Sequence, residues 1–167
     1  MAGRSRLSRA DEAGLLSELR AVYLEVDELS SLHSCPRSTR CCRFGLTGRE
    51  PYVTSIELAA LRHALRARGA RLPRQRPAPL RDSGRRDEQC CPLLDHQGRC
   101  SVYEARPLGC RTHWCHDADR PTTVPHRGVV ELVRRIEQIA ERHETGGDVG
   151  RPLRVALQAA VSRGRRR

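Results

Sequence analysis

Lysine and asparagine do not occur in this chain of 167 residues, and aromatic residues are scarce: one Phe, three Tyr and one Trp. No run approaches the roughly 18 apolar residues a membrane-spanning helix needs, so no membrane segment is expected. The stretch Met1 to Leu7 is basic, yet Asp11 and Glu12 arrive before any apolar core, so no secretory signal is expected either. The chain therefore reads as cytoplasmic, where thiols stay reduced. Catalytic fingerprints are missing too: there is no nucleotide-binding glycine loop, no Gly-x-Ser-x-Gly and no His-Glu-x-x-His. Hydrolase, kinase and zinc-protease readings lose their support, and no catalytic residue is assigned.

Few aromatics mean little core, because each aromatic side chain buries on the order of 150–250 Å². With 38% hydrophobic residues the chain needs a further staple, and its eight cysteines offer one. In a reducing compartment such a group means metal or redox chemistry rather than disulfides. The net charge of +11 invites a nucleic-acid reading. Every one of the 31 basic residues is Arg, however, and the joint loss of Lys and Asn, which share A-rich codons, reflects GC-rich coding. A nucleic-acid partner is thus not the expected one, although the field attracts polyanions non-specifically.

From Ser8 to about Leu32, Leu15, Leu19, Val22, Val26 and Leu29 recur at steps of three and four and predict a helix with one apolar stripe. Ser8 with Asp11 supplies its start. Thr54 and Glu57 form a capping box for a second helix lined by Leu58, Leu61 and Leu65 and stopped at Gly69. Residues 69–89, rich in Pro and Arg, read as a mobile linker. Val129, Leu132, Val133, Ile136, Ile139 and Ala140 outline a third helix, and Pro152 opens a fourth with Leu153, Leu157 and Val161 inward. The last residues, Arg163 to Arg167, read as a basic tail.

The cysteines stand at 35, 41, 42, 90, 91, 100, 110 and 115. Cys-x-x-Cys knuckles and the ferredoxin run are absent. Two blocks remain, separated by a helix and a linker, each able to give two or more thiolates to a common centre. Neighbouring side chains diverge in extended chain and on a helix, so one member of Cys41-Cys42 and one of Cys90-Cys91 is expected outside any single ion's ligand set. Asp95-His96-Gln97-Gly98 predicts a hairpin turn between Cys91 and Cys100. Arg40, Arg43, Arg99 and Arg111 adjoin cysteines and suit a negatively charged thiolate centre. His113 and His116, three apart around Trp114, share a helical face and are secondary ligand candidates.

These residues resemble the YkgJ-like cysteine-cluster family of zinc- or iron-chelating proteins, often labelled Fe–S oxidoreductases. The resemblance is carried by Cys35 with Cys41-Cys42, by Val53-Thr54 and Glu57-Leu58, by Cys91-Pro92-Leu93-Leu94, by Gly98, Cys100 and Val102-Tyr103-Glu104, and by Arg106-Pro107-Leu108-Gly109-Cys110-Arg111. It covers residues 35 to 116. One departure stands out: the family's further cysteine ahead of the vicinal pair has no counterpart in Pro36 to Arg40, which leaves the ligand count open.

The resulting expectation is a mostly α, metal-stabilised small domain around an irregular, β-hairpin cysteine-cluster core. An N-terminal helix (1–34) packs on a metal-binding unit (35–126), and C-terminal helices with the tail follow (127–167). Cys35, Cys41, Cys42, Cys91, Cys100, Cys110 and Cys115 are the candidate ligands of zinc or an iron–sulfur cluster. Two alternatives stay open: a thiol or Fe–S oxidoreductase or electron-transfer component of a modifying enzyme, and a basic zinc module on nucleic acid. A monomer with an unidentified protein partner completes the expectation.

Overall fold

The computed structural model describes residues 7–29, 39–72, 90–112, 126–144 and 148–164. Their elements run α1 (Arg9–Leu29), α2 (Phe44–Thr47), β1 (Tyr52–Val53), α3 (Ser55–Ala67), α4 (Leu108–Arg111), α5 (His126–His143), β2 (Arg151–Pro152) and α6 (Leu153–Gly164). Single 3-10 turns occupy Arg40–Cys42 and Tyr103–Ala105. The chain is mostly helical, as the sequence pattern implied, around one small antiparallel ribbon that the pattern did not indicate. Among the described residues no helix is long and apolar enough to cross a membrane.

Helix starts follow local chemistry. The Ser8 hydroxyl accepts the amide of Asp11 at 3.1 Å, and α1 begins at the next residue, Arg9. At α3, Glu57 reaches back to the Thr54 amide at 2.9 Å, completing the capping box. The helix ends where Gly69 adopts φ +67°, and Ala70 donates back to the Leu65 carbonyl at 2.8 Å. Only a residue tolerant of left-handed backbone makes that exit without strain.

Two cores meet on α3. Its Ile56 and Ala59 join Leu15, Leu19, Val22 and Val26 of α1 and Leu132, Ile136 and Ile139 of α5. Its Leu61 and Leu65 face the other way, into a core shared with Cys42, Phe44, Cys91, Val102 and, from α6, Leu153 and Leu157. Ile56, Leu61 and Leu157 are fully buried, and cutting any one to Ala costs roughly 2–5 kcal/mol. The second core is thus built against the sulfurs themselves, which compensates for the missing aromatics. Tyr23, outside the expected stripe, is buried in the first core, whereas Leu29 and Val133 of the expected stripes are exposed. Val161 is half-buried.

Several arginines pair with carboxylates of the same chain. Arg142 grips Glu18 and Arg135 grips Glu25, so α5 is registered on α1 by two forked pairs. Being solvent-screened, each contributes little to stability and serves mainly to set the register. The ribbon pairs Tyr52 with Pro152 and Val53 with Arg151. Its two-residue strands are too short to leave an alternating pattern, so sequence reading had no signal for them. Residues 73–89 of the expected linker and 165–167 of the expected tail lie outside the described residues.

Candidate metal centre

Cys41 and Cys42 lie on the 3-10 turn that starts after Thr39, a residue held at φ +56°. The Cys42 amide closes the turn on the Thr39 carbonyl at 2.8 Å. In this tight winding the two sulfurs sit 4.0 Å apart. The expectation that neighbouring side chains here diverge is therefore overturned: it assumed extended or α-helical backbone, and the turn is neither. Ligand sulfurs around one zinc at about 2.3 Å lie roughly 3.5–4 Å apart, so this spacing suits a shared ion.

The second block docks on the first through the main chain. Cys91 donates its amide to the Cys42 carbonyl at 2.7 Å, and Arg43 bridges Cys90 in antiparallel fashion. Alternation at the bridge buries Cys91 and exposes Cys90. The chain then turns at Gly98, φ +71°, and returns with Cys100 bridged to Leu94, as the expected hairpin requires. The Asp95 carboxylate holds that turn by accepting the amides of Gln97 and Arg99, each at 2.9 Å. Those bonds, led by the Arg99 amide, keep its carboxyl below the usual range.

Beyond Cys100, Arg106 lies over the Tyr103 ring at 3.8 Å and donates its Nε–H to the Tyr103 carbonyl at 2.9 Å. Tyr103 therefore supports a guanidinium. Pro107 opens α4, which carries Cys110. Gly109 has no side chain for a reason of space: a Cβ there would meet Pro51 Cβ at 3.0 Å and Pro51 Cα at 3.4 Å.

Two buried charges position α4: sequence reading gave Glu57 its capping role alone and set Arg111 beside the thiolates. Glu57, 3% exposed, accepts the Leu108 amide at 2.8 Å, the Thr54 hydroxyl at 3.0 Å and the Tyr23 hydroxyl at 3.2 Å, besides the Thr54 amide. One carboxylate thus ties α1, α3 and α4 together. Burial raises its pKa, and the hydrogen bonds from Thr54, Leu108 and Tyr23 oppose the rise. Arg111, also buried, forks onto Asp27 of α1 at 2.6 and 2.8 Å, donates Nε–H to the Arg106 carbonyl at 2.8 Å, reaches the Glu104 carbonyl, and stacks 4.3 Å over Tyr23. It thereby replaces the backbone partners that the turn between Glu104 and Pro107 lacks. The signal that could have marked these residues was their charge inside otherwise apolar motif segments.

The thiols form one electrostatic neighbourhood. Cys41 is pushed far above the ordinary thiol range, first by its hydrogen bond with Cys42 and then by burial. Cys42 is pushed up to about 12: Cys41 pulls it down, and a hydrogen bond with Cys91 together with burial outweighs that pull. Cys110 is driven up by burial and then by Cys42, Cys41 and Cys100. Burial raises Cys100 as well, while the Val102 amide and Arg106 oppose the rise. Sulfurs from both blocks therefore feel one another.

Among the described residues no group of three or more His, Cys, Asp or Glu side chains is placed so that it could hold a metal ion as it stands. Cys35, His113, Trp114, Cys115 and His116 lie outside the described residues. The donor chemistry nevertheless fits a soft cation, since thiols become ligands on deprotonation and Cys41, Cys42, Cys91, Cys100 and Cys110 bring thiols from two blocks into one electrostatic neighbourhood. Cys41 and Cys110 also line an open groove of ≈ 580 Å³.

Residues 34–138 match the family model CxxCxxCC, whose description reads "Putative zinc- or iron-chelating domain". No curated protein and no solved structure matches the chain. With Cys35 as the first cysteine of that motif and Cys41-Cys42 as its final pair, the second cysteine falls on Ser38.

Proposed function

The chain belongs to the CxxCxxCC family of zinc- or iron-chelating domains, and from that premise we propose that a single tetrahedral zinc site draws its four thiolates from among Cys41, Cys42, Cys91, Cys100 and Cys110, with Cys35 and Cys115 as alternative donors. The observation that carries the reading is the 4.0 Å separation of the Cys41 and Cys42 sulfurs beside Cys91. A mononuclear tetrahedral site places its sulfurs at that spacing. A cubane cluster takes each cysteine on a different iron, and so favours ligands set farther apart. When bound, the metal supplies a cross-link between the two blocks and stability that a thin core lacks.

The residues of the chain do the rest. Glu57 and Arg111 hold α4 so that Cys110 faces the vicinal pair. The Asp95 turn returns Cys100 beside Leu94, and Arg106 offsets negative charge among Cys41, Cys100 and Cys110. Anaerobic purification followed by metal analysis and visible spectroscopy tests the reading. A colourless protein with stoichiometric zinc is expected. A brown protein carrying iron and sulfide would replace zinc with a cluster and give the electron-transfer alternative its content. Protein that takes up neither metal would end the reading.

A further inference from the structure

Cys42 and Cys91 stand opposite one another where the two blocks meet. Arg43 and Cys90 form an antiparallel bridge, and the Cys91 amide donates to the Cys42 carbonyl at 2.7 Å, which makes residues 42 and 91 the next directly opposed pair of that short ladder. Opposed residues send their side chains to the same face. Here that face is the second core, in which both cysteines are buried and a hydrogen bond joins their sulfurs.

We infer that Cys42 and Cys91 form a reversible disulfide site, a modification brought about by hydroperoxides. A disulfide spans Cα atoms about 4.4–6.8 Å apart, and an opposed hydrogen-bonded pair of an antiparallel ladder holds them at about 5.5 Å. The backbone has already set the required span. The rival is the vicinal pair, whose sulfurs lie 4.0 Å apart. Its Cα atoms, however, are neighbours across one trans peptide and so about 3.8 Å apart, short of the range that an unstrained disulfide needs. The bond between the blocks is therefore the favoured product. One thiol attacks the peroxide, the O–O bond breaks, and a sulfenic acid and an alcohol (water, from hydrogen peroxide) form; the second thiol then displaces the hydroxyl as water and closes the S–S bond. Two electrons pass from sulfur to the peroxide oxygens, and the two thiol protons leave on the alcohol and the water. A thiol reductant reverses the bond by exchange. The disulfide locks the blocks in the register that their main chains adopt and withdraws two thiols from any ligand set. Only this last consequence rests on the metal reading, which it deepens by making oxidation and metal loading compete for the same sulfurs.

The test exposes the full chain, freed of metal by a chelator under reducing conditions and then desalted without oxygen, to stoichiometric hydrogen peroxide. Two of the eight thiols should be lost to titration and regained with dithiothreitol. After alkylation and cleavage at arginine, the peptide of residues 41–43 should be found joined to that of residues 87–99, with fragmentation placing the bond on Cys42 and Cys91. The link should persist in Cys41→Ser and Cys90→Ser and vanish in Cys42→Ser and Cys91→Ser. The parent protein alone carries the main result, so no variant has to fold for the inference to fail. A bond closed within residues 41–43, a bond on Cys90, or links scattered among many cysteines would overturn the assignment. Zinc binding is measured separately. Zinc-loaded protein should form the link more slowly than metal-free protein, and equal rates would overturn the competition; protein that binds no zinc yet forms the link ends the metal reading and upholds this one.

Discussion

The amide of Cys91 donates to the carbonyl of Cys42 at 2.7 Å, across 49 positions of sequence. This bond brings the second cysteine block onto the first with both sulfurs buried, while the bridge of Arg43 with Cys90 turns the neighbouring sulfur outward. A backbone contact of this kind survives side-chain substitution, so the thiols can be tested singly without removing the dock.

Cys42→Ser and Cys91→Ser should each lower zinc content to a small fraction of one equivalent, as should Cys100→Ser and Cys110→Ser. Cys90→Ser should leave it near the parent level, because Cys90 is exposed and faces away. Elemental analysis of the purified variants decides the matter. Equal loss in all five would show that the burial difference between Cys90 and Cys91 does not select the ligands.

Glu57→Ala should destabilise the protein by about 3 kcal/mol or more, since it strands the buried donors of Thr54, Leu108 and Tyr23. Glu57→Gln keeps one acceptor oxygen but turns an amide toward donors, and should fall between the parent and Ala. Urea denaturation of all three proteins gives the ranking. A neutral Ala variant would mean that the carboxylate does not join α1, α3 and α4.

Gly109→Ala places a methyl 3.0 Å from Pro51 Cβ, and overpacking of this order costs roughly 1–3 kcal/mol. Since residue 110 is the adjacent cysteine, zinc affinity should fall together with stability. A parallel Gly14→Ala, where no atom lies within 4 Å of the new methyl, should leave zinc affinity unchanged. Isothermal titration alongside thermal melts would reveal whether the two quantities move together.

The raised thiol pKa values fix the sign of the pH response. Cys42, up at about 12, and Cys100 favour the neutral form when folded, relative to an ordinary thiol at 9.0. Their contribution to metal-free stability is complete below pH 9 and is lost as pH climbs toward the folded values. Metal-free protein should thus lose stability between about pH 9 and 12. Zinc binding, which requires thiolates, should release protons and strengthen as pH rises. Titration in weakly buffered solution with a pH indicator measures the release, and uptake with no proton release would contradict thiolate ligation.

What the sequence determined by itself is local. Ser8 beside Asp11, the Thr54 and Glu57 box, the Gly69 stop and the Asp95 to Gly98 turn each act over four or five residues, and each is legible because its partners are neighbours in the chain. The cysteine blocks were equally visible, and their order carried the family resemblance. Tertiary structure alone decided how those pieces meet. The vicinal sulfurs converge because a 3-10 turn, set by Thr39 at φ +56°, replaces the conformations that neighbour rules assume. Glu57 does more than cap its own helix because Leu108, 51 positions away, arrives with an amide in need of an acceptor. Arg111 is buried because Asp27 and two carbonyls surround it. Hydrogen bonds and close packing act over a few ångströms irrespective of sequence distance, so a contact between remote segments has no trace in a local pattern until the chain has folded.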